Sequence, residues 1–185
     1  MIFLTWLNFA IVNSLYWNVV LKPKQVICME KLFLGLDVLA VFPTGYGKSL
    51  IFHLLSMLLC GEELEKGCLV RSSLTDLTSI VLVICPLNSL INGQVQKLLT
   101  TGLRVAVINI QSFECATETD NEDIFCDVID RGEKENILRG NYNVLFAHPE
   151  ALLSSKFGRG IVNSVVYQTN VSAVVIDEAH CIIEW

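Results

Sequence analysis

The stretch Val41–Phe52, VFPTGYGKSLIF, contains residue types that bind phosphate groups at a spacing suited to doing so. Gly45 and Gly47 allow the backbone to turn several N–H groups towards one point, and a helix predicted to begin near Lys48 adds the positive end of its dipole. Lys48 supplies a point charge for the outer phosphates, and the Ser49 hydroxyl is the magnesium ligand of such loops. The spacing therefore predicts a phosphate loop; the alternative is a plain glycine turn beside an exposed lysine.

A second candidate group lies in Val171–His180, VSAVVIDEAH, where an apolar run ends in two adjacent acids. We expect Asp177 to hold magnesium, directly or through water, and Glu178 to orient or deprotonate an attacking water. In open α/β sheets the ligand crevice lies at the carboxyl ends of the strands, where both groups would meet. A phosphate loop followed about 130 residues later by such a strand indicates hydrolysis of a nucleoside triphosphate.

The elements that must position these groups are short apolar runs alternating with longer helical stretches. The predicted strands, whose near-continuous apolar residues suit burial on both faces of a parallel sheet, are Asp37–Phe42, Ile80–Cys85, Arg104–Asn109, Asn143–Ala147 and Ala173–Asp177. The predicted helices are Lys48–Cys60, Asn88–Gly102 and Glu150–Val166. This alternation predicts an α/β protein with an open, mostly parallel sheet and helices on both faces. The polar segments Gly61–Ser79 and Glu118–Asn136 are predicted surface insertions.

The composition limits the kinds of protein that the chain can be. With 185 residues, 52% of them hydrophobic and 17% charged, it is large enough for one well-packed domain. The net charge of -6 provides no general basic field, so any contact with nucleic acid has to come from a local groove. The seven cysteines form no C-x-x-C pair, which favours reduced intracellular thiols over disulfides or structural zinc.

The first 21 residues contain no charged side chain before Lys22, and a stretch of this length could span a bilayer. Four polar residues interrupt it, namely Asn8, Asn13, Ser14 and Asn18. No basic region or small-residue cleavage site typical of a signal peptide accompanies it. We therefore expect a helix packed on the domain, with a membrane anchor as the less favoured alternative.

The segments Pro43–Ser49 (PTGYGKS) and Asp177–Trp185 (DEAHCIIEW) resemble superfamily-two helicases of the DEAD/DEAH-box type, and among them the RecQ family of ATP-dependent DNA helicases. That family tolerates a large apolar residue before P-T-G, so Phe42 fits its pattern. The resemblance implies a P-loop NTPase fold of the RecA type. It places the helicase ATP-binding domain in residues 21–185, and an N-terminal apolar helix with the start of an adenine-recognition motif in residues 1–20.

The resemblance also implies ATP and Mg²⁺ as cofactors and a role for each matching residue. ATP would be bound by the loop residues Pro43, Thr44, Gly45, Tyr46, Gly47, Lys48 and Ser49. The catalytic residues would be Lys48, Glu178 and His180, of which His180 couples hydrolysis to the DNA side. Ser49 and Asp177 would bind the metal.

The segment Val20–Gln25, VLKPKQ, resembles the RecQ adenine-recognition motif. In this reading Gln25 pairs with the adenine edge, since its amide both donates and accepts hydrogen bonds. Lys22 matches a basic position of the motif, and Tyr16 supplies an aromatic ring that stacks on the base. The family usually has glycine after that aromatic residue, where this chain has Trp17.

Two further segments resemble contacts of the family with DNA, and they imply single-stranded or duplex-junction DNA as the partner. The residues that match are Pro86, Leu87, Ser89 and Gln94 in the first segment and Pro149 and Glu150 in the second, with Trp185 matching the first aromatic of a DNA-sensing loop. Cys85 and Gly93 replace the usual serine and aspartate. Hydroxyl and backbone N–H groups here would hold strand phosphates without reading sequence.

The resemblance implies the N-terminal motor domain of a nuclear helicase of DNA recombination and repair, which moves 3'-5' on single-stranded DNA. A second RecA-like domain, expected beyond Trp185, would complete the ATP site, so we expect the domain by itself to hydrolyse ATP very slowly. Two alternatives stay open. One is a non-catalytic module that binds nucleotide or nucleic acid, and the less favoured one is a small-molecule P-loop kinase.

Overall fold

A computed structural model of the protein describes residues 2–14, 18–65, 79–109 and 131–184. The helices in these ranges are α1 (Ile2–Val12), α2 (Pro23–Phe33), α3 (Lys48–Glu65), α4 (Asn88–Leu99), α5 (Arg131–Leu138), α6 (Pro149–Leu153), α7 (Lys156–Val162) and α8 (Val165–Asn170). The strands are β1 (Ile80–Ile84), β2 (Val105–Ile108), β3 (Val144–Ala147) and β4 (Val171–Ile176), and a 3-10 helix (Ala179–Glu184) follows β4.

The four strands form one sheet in the order β2-β3-β1-β4, and every pairing is parallel. In the centre of the sheet, Val83 of β1 is in register with Phe146 of β3 and Val175 of β4. Parallel neighbours bring the carboxyl ends of all strands to one edge of the sheet. The predicted α/β architecture is confirmed, as are four of the five predicted strands.

Helices cover both faces of the sheet because side chains alternate along each strand. Val81 and Val83 of β1 point into a core built with helices α1 to α4, while Ile80 and Leu82 point into a second core with helices α5 to α8. Residues on both sides of the sheet, such as Phe146 in the first core and Leu145 in the second, are fully buried. The expected arrangement of helices on both faces is therefore confirmed.

The fifth predicted strand, Asp37–Phe42, is wrong: the segment is not part of the sheet. Its burial alternates as in a strand, with Val38, Ala40 and Phe42 packed on the first core and Leu39 84% and Val41 81% exposed. However, no backbone hydrogen bond joins it to another strand within the described part of the chain. A groove of about 660 Å³ separates it from β4. Apolar alternation reports burial, whereas a strand also requires a neighbour at hydrogen-bonding distance.

The predicted helix Glu150–Val166 is divided into α6, α7 and α8. Ser155 ends the first piece and begins the second, because its hydroxyl accepts a hydrogen bond from the N–H of Gly158 at 2.8 Å. Ser164 caps α8 in the same way through the N–H of Tyr167. Such serine caps compete with continuation of a helix. Gly158 allows the pieces to pack closely, since a Cβ there would lie 2.2 Å from the carbonyl oxygen of Ala151.

The N-terminal apolar stretch forms α1, which packs against α3 through Phe3, Leu7 and Ala10. Within the described ranges, no helix combines the length and the apolar character needed to cross a membrane. Helix α3 continues beyond the predicted Cys60 to Glu65. Residues 66–78 of the predicted insertion after it lie outside the described residues, as do residues 118–130 of the second predicted insertion.

Candidate nucleotide-binding site

The phosphate loop and the acid pair lie at the same edge of the sheet. Asp177 follows β4, and its backbone N–H donates to the carbonyl oxygen of Ile84 at the end of β1 at 2.9 Å. Burial raises the pKa of the Asp177 carboxyl above its ordinary value, while the backbone N–H of Glu178 and the ammonium of Lys48 oppose the rise. Lys48, the first residue of α3, therefore lies close enough to Asp177 to act on its charge.

Both glycines of the loop adopt backbone angles that other residues rarely take. Gly45 has φ of 75° and Gly47 has φ of 94°, in the left-handed region. A Cβ at Gly47 would also lie 2.7 Å from the amide nitrogen of Gln25. The loop turns between Pro43 and Tyr46, whose N–H donates to the Pro43 carbonyl at 3.2 Å. The glycine spacing in the sequence thus corresponds to a real backbone requirement.

Phe42, the large apolar residue before Pro43, supports the loop. Its ring stacks on Tyr46 with centroids 4.5 Å apart and planes 22° from parallel. The ammonium of Lys22 lies 4.1 Å from the centroid of the Tyr46 ring and donates to the Tyr46 carbonyl at 3.1 Å. Tyr46 therefore has an apolar and a cationic partner. No contact was predicted for Phe42 from the sequence. The signal available in the sequence was the presence of two aromatic residues, Phe42 and Tyr46, at either end of a predicted tight turn.

Gln25 fastens helix α2 to the phosphate loop. Gln25 is only 2% exposed, and its side-chain Oε1 accepts a hydrogen bond from the backbone N–H of Lys22 at 2.8 Å. Its Nε2 donates to the carbonyls of Tyr46 at 3.2 Å and Gly47 at 3.1 Å. The predicted adenine contact thus lies beside the loop, with its donor already used by the loop. Tyr16, the predicted stacking partner of the base, lies outside the described residues.

Glu178 has the only positive φ among the described non-glycine residues, at 53°. Its backbone N–H donates to Asp177 Oδ1 at 3.1 Å. Its carboxylate Oε2 lies 3.3 Å from Nδ1 of His180, whose side chain is 75% exposed. An unfavourable backbone conformation of this kind is typical of functional sites. The structure thus joins three of the predicted residues, with His180 in direct contact with the candidate general base.

Ser49, the predicted metal ligand, has a partner on a different helix. Nε2 of Gln94 in α4 donates to Ser49 Oγ at 2.7 Å. Gln94, whose contact with DNA stays a prediction, thus has its side chain hydrogen-bonded to the phosphate loop. The residues are 45 positions apart, so only the folded chain brings them together.

The predicted DNA contacts follow β1 and β3, which are neighbours in the sheet, and thus lie at one edge. Leu87, Ser89 and Glu150 are exposed, Pro86 is half-buried and Pro149 is buried. Cys85, which replaces a serine of the motif, is 1% exposed and its Sγ lies 3.8 Å from the Leu87 carbonyl oxygen. Burial raises the pKa of this thiol. Trp185 lies outside the described residues.

The donor set near the loop suits magnesium. The hydroxyl of Ser49 and the carboxylate of Asp177 are both oxygen donors, and the described residues contain no group of three or more His, Cys, Asp or Glu side chains arranged for a metal. Mg²⁺ keeps several waters and is usually held by one or two protein oxygens together with nucleotide phosphates. The residues present therefore fit this ion.

Comparison with known proteins agrees with this geometry. The DEAD/DEAH box helicase family matches residues 22–185. The probable ATP-dependent DNA helicase RecS of Bacillus subtilis is 31% identical over 167 residues, covering 89% of this chain and 26% of RecS. The ATP-dependent DNA helicase RecQ of Pasteurella multocida is 28% identical, covering 85% of this chain and 19% of that protein. The ATP-dependent helicase SGS1 of Saccharomyces cerevisiae is 26% identical, and the match covers 89% of this chain and 10% of SGS1.

The match confirms the resemblance to superfamily-two helicases and to RecQ proteins within them. It also confirms the RecA-like P-loop type of fold. The chain spans between 10% and 26% of the length of these three relatives.

Proposed function

Because the chain belongs to the DEAD/DEAH box helicase family, we propose that it is the ATP-binding motor domain of a RecQ-like DNA helicase. The observation that supports this most is that Lys48 and Asp177 line the same groove at the carboxyl edge of the parallel sheet. A cation and a half-buried carboxylate in one groove, next to a glycine loop at a helix N-terminus, are suited to a nucleotide with its metal.

In this proposal the loop holds the phosphates of ATP. Backbone N–H groups around Gly45 and Gly47 and the N-terminus of α3 face the anionic oxygens, and the Lys48 ammonium neutralises charge on the outer phosphates. Ser49 and Asp177 would hold Mg²⁺, which when bound neutralises charge that builds up on the phosphate oxygens. Gln25 and Lys22 flank the loop beside which adenine would bind. To pair with the base edge, the buried Gln25 side chain would have to release its hydrogen bonds to the loop carbonyls.

Glu178 is the proposed general base. Its carboxylate accepts the proton of the attacking water as the water oxygen bonds to the terminal phosphorus. The bond from that phosphorus to the bridging oxygen breaks, and ADP leaves with the electron pair. His180, in contact with Glu178 at 3.3 Å, restrains that carboxylate and at the same time reaches the surface with most of its ring. This exposed ring is suited to report the state of the site to a second domain.

DNA would bind along the carboxyl edge of the sheet, at the two segments that follow β1 and β3. The exposed residues Leu87, Ser89 and Glu150 and their neighbours Pro86 and Pro149 would form this contact. The chain has a net charge of -6, so hydroxyl and backbone N–H groups, rather than a basic surface, would hold the strand. We propose 3'-5' movement on single-stranded DNA and unwinding in the nucleus, during recombination and repair, once a second RecA-like domain completes the ATP site. An arginine finger supplied in this way is worth roughly three to five powers of ten in rate in related enzymes.

The experiment that tests the proposal measures ATP hydrolysis with and without single-stranded DNA. It uses the chain joined to a RecQ-type second domain, because we expect the domain alone to be close to the background rate. Stimulation by DNA is the expected result. Hydrolysis indifferent to DNA, or transfer of phosphate to a small molecule, would favour a kinase. Nucleotide binding without turnover under either condition would favour a binding module.

The Gln25 side chain provides a test of base recognition. Gln25→Ala removes three hydrogen bonds at the loop, and we expect it to weaken ATP binding and reduce the preference for ATP over GTP by roughly tenfold. Nucleotide affinities from calorimetry measure the effect, with Gln96→Ala, an exposed glutamine on α4, as the control. Equal affinity of the unaltered protein for ATP and GTP would contradict adenine reading by Gln25.

A further inference from the structure

The Gln94 side chain lies across one turn of helix α3. Its Nε2 donates to Ser49 Oγ at 2.7 Å, and His53, four residues after Ser49 on the same face of the helix, is 2% exposed. Burial lowers the pKa of His53 to about 4, and a hydrogen bond with the Gln94 side chain opposes this change. His53 is therefore neutral at pH 7, and Gln94 is joined to α3 through the hydrogen bond with Ser49.

The direction of the hydrogen bond constrains the Ser49 hydroxyl. A serine hydroxyl has one hydrogen to donate and two lone pairs to accept with, whereas the amide nitrogen of glutamine can only donate. Gln94 therefore occupies one lone pair of Ser49 Oγ. The second lone pair stays available to a cation, and the hydroxyl hydrogen stays available to a phosphate oxygen.

We propose that Gln94 is a positioning residue for the metal ligand Ser49, fixing its hydroxyl so that a lone pair faces the divalent cation of a bound nucleotide. This inference rests on the proposed function, since it requires Ser49 to bind the metal. It assigns Gln94 to the nucleotide side of the domain, although the motif predicted a DNA contact. Helix α4 begins at Asn88 and contains Ser89 of the proposed DNA segment, so this one hydrogen bond connects that segment to the metal ligand.

The test substitutes methionine, which has about the length of glutamine but no donor that could reach Ser49. Nucleotide affinity is measured by calorimetry for the Gln94→Met protein and its parent, once in excess Mg²⁺ and once in EDTA. We expect the affinity gained from Mg²⁺ to fall by roughly tenfold, as for other residues that orient a metal ligand. The affinity in EDTA should stay within about twofold, because the phosphate contacts of the loop do not involve Gln94.

The matched control is Gln96→Met, which changes an exposed glutamine of the same helix and should leave both affinities unchanged. Thermal unfolding checks that each variant is folded; if Gln94→Met is not, Gln94→Leu, which also lacks a donor, takes its place. An undiminished effect of Mg²⁺ in the folded variant overturns the positioning role and leaves the proposed function intact. Equal losses in Mg²⁺ and EDTA also overturn it, since they indicate a general support of the loop. A parent protein that binds no nucleotide overturns both.

Discussion

In a chain joined to a RecQ-type second domain, Glu178→Gln is expected to bind ATP and single-stranded DNA as the parent does, but to hydrolyse ATP roughly two to four powers of ten more slowly. The change preserves the size of the side chain and its ability to accept a hydrogen bond from His180, whose Nδ1 lies 3.3 Å away. It removes the negative charge of the carboxylate and with it the ability to take a proton from water.

Steady-state hydrolysis and nucleotide affinity, measured on the same preparations, separate the two effects. Glu30→Gln makes the same chemical change at an exposed position of α2 and should have the rate of the parent. Turnover of Glu178→Gln within threefold of the parent would show that another group accepts the proton.

Lys48→Ala is expected to lower ATP affinity by roughly a hundredfold, which amounts to loss of binding in an ordinary assay. The Lys48 ammonium acts on the charge of Asp177, and it would meet the outer phosphates. Because alanine is a good helix former, replacing the first residue of α3 should change the free energy of unfolding by only about 1 kcal/mol or less.

Calorimetry with ATP and thermal unfolding, performed side by side, measure both quantities. Lys31→Ala removes an exposed lysine from the last turn of α2 and is the matched control for charge. ATP affinity of Lys48→Ala close to that of the parent would mean that the phosphates bind elsewhere.

The parts of the site that could be predicted from sequence are those in which short segments carry their own geometry. Gly45 and Gly47 require positive φ in any turn of this kind, and Lys48 follows them at the start of a helix. Asp177 and Glu178 follow an apolar strand, and parallel pairing places the end of that strand at the carboxyl edge of the sheet. These local signals were sufficient to predict the fold class and the edge of the sheet at which the site lies.

The parts that could not be predicted depend on which segments become neighbours. The hydrogen bond of Gln94 with Ser49 joins two helices, and no pattern of spacing in the sequence indicates it. Asp37–Phe42 has the alternation of a strand but no bonded neighbour in the described structure, and alternation cannot report a partner. The division between α6 and α7 depends on the hydrogen bond that the Gly158 N–H donates to the Ser155 hydroxyl. This bond competes with the backbone hydrogen bonds of a continuous helix.

The left-handed backbone of Glu178 matters for protein engineering. A non-glycine residue in this region is held there at a cost of roughly 1–2 kcal/mol. A library screened only for heat resistance would therefore enrich glycine at this position, since glycine relieves that cost. The same replacement removes the proposed general base, so the most heat-resistant variants would not hydrolyse ATP. Variants of this domain have to be selected for turnover and heat resistance together, because at Glu178 the two properties oppose each other.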